Sequence, residues 1–172
     1  MVNQQYVGYT HSMTNYVALL RGIMPTNPNM RNEKLRSVFE TLGFSNVQTV
    51  ISSGNVIFES NSKNISLLET KIKKELMKQL GIKSPAYIRS KEELEALIEK
   101  DPFKGAEHNS KSYLIVSFQR KEPKEIFNAL DITNNEASKF MRDIEKKFGK
   151  DVTTRTWKTV ERIVKKMNVV KT

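Results

Sequence analysis

Within residues 16–89 the apolar side chains change period from segment to segment, and their order restricts the fold more than any other feature. Residues 16–20 (YVALL) form a continuous apolar run, as expected of a strand covered on both faces. Leu35, Val38, Phe39 and Leu42 follow at helical spacing, with Gly43 as the stop and Asn29 or Asn32 placed to cap the start. Residues 47–52 and 56–59 are β-rich and flank Ser53-Gly54-Asn55. Gly and Asn both tolerate positive φ, so this pair reads as a tight hairpin. Ile65, Leu68, Ile72, Leu76 and Leu80 mark a second helix ended by Gly81, and residues 85–89 (PAYIR) a short strand. The order is β-α-β-β-α-β, the ferredoxin-like plait, in which two helices cover one face of an antiparallel sheet.

The second half is less regular. Ser90 and Glu93 form a capping box for a helix through Ile98, closed by Asp101-Pro102. Residues 112–118 (SYLIVSF) read as a strand, and Pro123 suits the first turn of a short helix to Leu130. Ala137, Phe140, Met141, Ile144 and Phe148 describe another helix, stopped by Gly149. A short strand at 151–154 precedes a C-terminal amphipathic helix with Trp157, Val160, Ile163, Val164 and Met167 along its apolar stripe. The fold class is therefore α+β. Residues 1–13 read as a flexible tail, 14–90 as the ferredoxin-like unit and 91–172 as a second, smaller α/β unit. Leu19, Phe39, Leu42, Val56, Phe58, Leu68, Ile72, Leu76 and Trp157 are the expected core.

Composition sets the classes of chemistry available. The 172 residues are 38% hydrophobic and 28% charged with few Gly and Pro, which excludes collagen-like and wholly disordered chains. Cys is absent, so disulfides, thiolate zinc sites and cysteine nucleophiles are excluded together. No apolar run approaches the ~20 residues that span a bilayer, and the N-terminal residues lack a secretory pattern. The expectation is a cytoplasmic protein without a membrane contact. Net charge is +10, distributed as +6 over residues 1–90, −3 over 91–138 and +7 over 139–172. Such a basic chain favours contact with a phosphate-bearing ligand or nucleic acid. A lysine-rich solvated surface accounts for the same charge, and that alternative stays open.

Three blocks carry a family resemblance. YVALLRGI at 16–23, MRNEKLRSVFETLGFSNVQTVISSGNVIFES at 30–60 and VTTRTWKTV at 152–160 resemble a bacterial family of unknown function with LLRGIN, SGNV.F and TTRNWxTV motifs. The resemblance implies paired ferredoxin-like units and no assigned activity. Met24 stands where the family has Asn, so a polar role there passes to Asn27 or Asn29. Thr156 replaces the Asn before Trp157 and can still cap a helix. The segment between Leu130 and Phe148 looks shorter than the family pattern, which implies a missing β-hairpin and an incomplete second unit.

The candidate ligand-binding residues are Arg21, Asn27, Asn29, Ser53, Asn55, Thr154, Arg155 and Thr159. Arg21-Gly22 closes a buried strand before a helix, a place where an Arg beside free helix amides can hold an anion. The alternative is a turn at Gly22 with Arg21 paired to a carboxylate. Ser52, Ser53 and Asn55 offer polar groups at a turn that can nest a phosphate oxygen, or form a plain turn. Arg155, among Thr153, Thr154, Thr156 and Thr159, suits phosphate or carboxylate binding, or a cap with an Arg-to-main-chain tie. Trp157 follows the apolar stripe and reads as core. His11 and His108 are the only histidines, neither placed to serve a Ser-His-Asp triad, and no metal or cofactor is expected. Glu92, Glu93, Glu95 and Glu99 read as a solvated helix face.

A binding or interaction module for an anionic ligand fits these features first. The alternative is an enzyme acting on a small anionic substrate, with Arg21 and Arg155 as clamps, but it lacks a tunable general base. A third reading, an oligomerisation module, stays open. Residues 55–59 lack the basic, Gly and aromatic pattern of RNA-recognition modules, so base-specific RNA readout is not expected.

Overall fold

Five apolar side chains in succession need cover on both faces of a sheet, and the strand at Thr14–Leu20 (β1) receives it. The computed structural model describes residues 12–133, 136–149 and 151–169, so the tail read at 1–13 lies outside the described residues up to residue 11. After β1 come α1 (Asn32–Thr41), β2 (Ser45–Thr49), β3 (Asn55–Ser60), α2 (Ile65–Leu80) and β4 (Ala86–Ser90). Then follow α3 (Lys91–Lys100), β5 (Ser112–Gln119), β6 (Glu125–Asp131), α4 (Glu136–Phe148), β7 (Val152–Thr156) and α5 (Trp157–Met167). Among the described residues these make a mixed α+β structure of two antiparallel sheets and five α-helices.

The first sheet has the order β2-β3-β1-β4, with β1 central and in register with β3 (Ala18 opposite Val56) and β4 (Leu20 opposite Ala86). Side chains alternate across a strand, so β1 feeds two cores at once. Tyr16, Ala18 and Leu20 join Phe58 and Ile88 against α1 and α2, through Leu35, Phe39, Leu68, Ile72 and Leu76. Val17 and Leu19 join Ile57 and Tyr87 on the opposite face. That second core is completed by Leu114, Val116 and Phe118 of β5, by Leu94 and Leu97 of α3, and by the α5 stripe from Trp157 to Met167. Residues from both halves of the chain therefore share one core.

The other sheet has the order β6-β5-β7. Here one expectation is corrected. The segment after Pro123 is a strand, β6, and not a short helix. It pairs along β5 from Phe118–Glu125 to Ser112–Asp131, a β-hairpin that precedes the segment between Leu130 and Phe148, where the described residues hold α4. A run as short as EIFNALD fits either period, and the unpaired edge of β5 decides it by supplying backbone partners.

The turn between β2 and β3 is also wider than the tight hairpin read at Ser53-Gly54-Asn55: β2 ends at Thr49, Asn55 already belongs to β3, and the positive φ falls on Ile51 and Gly54. Other helix-end signals are met. Ser90 and Glu93 close a full capping box on α3, Gly81 ends α2 in the left-handed conformation, and Thr156 caps α5. The cap of α1 differs: Arg31 holds the N-cap position and offers no side-chain bond, while Asn32 donates to the Ile51 carbonyl instead. Of the expected core residues only Leu42 is half-buried, and the others are buried.

Candidate functional site

Three sequence blocks that lie far apart along the chain meet at the C-terminal end of β1. Arg155 of β7 is buried and directs its guanidinium into the joint between the two sheets. Its Nε donates to Asn55 Oδ1 at 2.6 Å, and its Nη1 to Thr153 Oγ1 and the Thr154 carbonyl, both at 2.9 Å. Its Nη2 donates to the Leu20 carbonyl at 2.8 Å and the Gly54 carbonyl at 3.4 Å. A guanidinium has five N–H donors, and all are engaged. Burial pulls the Arg155 pKa down to about 10, which leaves the group cationic at neutral pH.

The acceptors are themselves held. Asn55 is buried at the start of β3 and donates from Nδ2 to the Val50 carbonyl (3.0 Å) and to Ser53 Oγ (2.8 Å). Gly54 has φ +79°, and a Cβ there would stand 2.6 Å from Ile23 Cγ1, so glycine is required for the turn to approach β1. The Leu20 amide donates to the Gly54 carbonyl at 2.8 Å and closes that approach.

Arg21 is half-buried beside this cluster. Its Nη1 donates to the Val152 carbonyl, and its Nη2 meets Glu145 Oε1 of α4 at 3.1 Å. Arg21, Thr154 and Arg155 line a cavity of about 280 Å³ beneath α4. The structure thus brings together Arg21, Ser53, Asn55, Thr154 and Arg155. It does not bring in the others. Asn27 Oδ1 accepts from the Asn29 amide, and Asn29 Oδ1 from Lys34 Nζ. Thr159 is buried in the first turn of α5, with its hydroxyl 3.0 Å from Thr156 Oγ1.

A larger groove of about 860 Å³ opens on the other side of Arg21, between α2 and the segment leading into β4. Lys73, Lys74 and Lys83 line it and are exposed, and none has an ion-pair partner among the described residues. Met77, Ile82 and Pro85 give the groove an apolar floor. Lysines on the exposed side of a helix carry no pattern that separates a binding surface from a solvated one. The basic excess over residues 1–90 was the available signal, and the Lys71–Lys74 run its nearest local form.

Behind the groove Glu69 of α2 is buried and receives the Ile88 amide (3.2 Å) and Arg120 Nε (2.7 Å). Arg120 lies over the Tyr87 ring, 4.3 Å from its centroid, and 3.7 Å from Asp151. Burial raises the Tyr87 pKa, against the nearby Arg120 charge, and keeps the phenol neutral. Among the described residues no group of three His, Asp or Glu could hold a metal ion, and no helix is long and apolar enough to cross a membrane.

The family model described as a protein of unknown function (DUF1697) matches residues 13–148. Among solved structures, a conserved bacterial protein of Streptococcus pneumoniae is similar to this chain, with a TM-score of 0.68 and 21% identity over 90% of this chain and 98% of that one. At that identity the likeness bears on the fold alone. No curated protein matches the chain.

Proposed function

We propose, for a chain that belongs to the DUF1697 family of proteins of unknown function, that it is a binding module for a phosphate-bearing anion seated in the groove at Lys73, Lys74 and Lys83. The observation that carries this is the set of three exposed lysines, without an ion-pair partner among the described residues, around one groove with an apolar floor. Its size is that of a ligand site, and mobile ammonium groups serve as point-charge partners for phosphate. Arg21 stands on the rim and Arg155 behind it as a positioning residue. The five spent donors of Arg155 leave it nothing to offer a substrate without breaking the sheet joint, which weighs against the clamp of the enzyme reading.

The strand order β2-β3-β1-β4 supports a ferredoxin-like plait for residues 14–90, with α3, β5 and α5 packed on the sheet face opposite α1 and α2. That plait fixes the C-terminal half of α2 beside the end of β1, where the groove opens.

Heparin retention compares two charge-matched variants. K73E/K74E/K83E is expected to elute at much lower salt than K158E/R162E/K165E, which removes the same charge from the exposed side of α5. Equal shifts for the two would make the attraction diffuse and overturn the groove assignment.

A further inference from the structure

The groove does not end at Arg21. Asp151 lines both the groove and a further depression of about 270 Å³, which holds Arg120, Lys121, Lys147 and Phe148. Of the acids bordering this path, Glu145 pairs with Arg21, while Glu69 and Asp151 share the single charge of Arg120, at 2.7 and 3.7 Å. Lys121 and Lys147 are exposed and, like the groove lysines, have no acidic partner among the described residues. Five lysines thus outweigh the one acidic charge left over along two joined depressions. At the far end the half-buried ring of Phe148 carries the Lys147 ammonium 5.3 Å from its centroid.

We propose that the two depressions form one track for single-stranded nucleic acid, with phosphates met by Lys73, Lys74, Lys83, Lys121 and Lys147 and a base stacked on Phe148. This rests on the anion-binding reading of the groove and extends it from a compact phosphate to a linear polyanion. A row of cations spaced over two depressions matches charges repeated along a chain, which a single phosphate group cannot reach. An aromatic ring beside the cations is the usual partner of an unstacked base and gives no benefit to a base locked in a duplex. The apolar floor of Met77, Ile82 and Pro85 suits the sugar and base surfaces between phosphates.

Fluorescence anisotropy with labelled oligothymidylates tests the proposal. A strand of about twelve nucleotides is expected to bind more tightly than one of about four, because only the longer one spans both depressions. Its affinity should fall with log[salt] at a slope near −3.5, from about 0.7 per phosphate contact and five contacts. K121E/K147E should lower the slope to about −2 and abolish the length dependence. F148L, which keeps an apolar side chain, should weaken binding about five-fold or more with an unchanged unfolding midpoint. Equal affinity for both lengths, with K121E/K147E indistinguishable from wild type, would overturn the track while leaving the groove in place. Binding insensitive to K73E/K74E/K83E as well would overturn both. A duplex bound as tightly as the single strand, or displacement by polyglutamate at equal charge, would overturn the assignment to single-stranded nucleic acid.

Discussion

The joint around Arg155 and the groove at Lys73, Lys74 and Lys83 lie on the two sides of Arg21, and they use positive charge in opposite ways. Arg155 is buried, has every donor engaged and is anchored to Asn55, Leu20, Gly54, Thr153 and Thr154. The groove lysines are exposed and have no acidic partner among the described residues. A buried cation with a full set of acceptors acts as a structural tie, because any incoming anion would have to displace bonds already made. An exposed cation beside an open groove has no such competition. The polar motifs most visible in the sequence therefore belong to the joint, and the surface available to a ligand lies next to it.

The largest expected effect falls on the joint. Arg155→Ala removes five donors at once and takes away the bonds they supply to the Leu20 and Thr154 carbonyls and to the buried Asn55 amide oxygen. It is expected to destabilise the fold by about 3–4 kcal/mol in urea titration. A loss below about 1 kcal/mol would erase the contrast, since Arg155 would then be free to act elsewhere. Asn55→Ala removes the bond to Arg155 Nε and the bond to the Val50 carbonyl, with an expected cost of about 2 kcal/mol by the same titration. If Asn55→Ala and Arg155→Ala combine additively, the two do not act as one cluster; strong coupling is expected for groups in direct contact.

How far these regions were legible in the sequence follows from the range of the forces involved. The helices α2 and α3 carry their caps and apolar stripes within a few residues, so Gly81, Ser90 and Glu93 mark their ends correctly. β6 was misread because EIFNALD has no decisive period, and its partner strand β5 settles its conformation. For Arg155 the tie to main-chain groups was among the readings of the sequence, but its acceptors Asn55 and Leu20 lie 100 and 135 residues away. No local pattern reports such a contact. Lys73, Lys74 and Lys83 were missed for the converse reason, since an exposed lysine looks the same whether or not a groove opens beside it.

The smallest effect on stability is expected in the groove. K73E/K74E/K83E should change the unfolding free energy by no more than about 0.5–1 kcal/mol, because exposed side chains without partners lose nothing on replacement. A large destabilisation would place these lysines with the joint, as architecture, and close the distinction between the two regions.

The most direct test is to follow backbone amide resonances of isotope-labelled protein while a single-stranded oligonucleotide is added. The account predicts shifts at Lys73, Lys74, Lys83 and Asp151, with Asn55 and Thr154 unmoved. Shifts centred on Asn55, Thr154 and Arg155, with the groove silent, would contradict it and return the binding role to the joint.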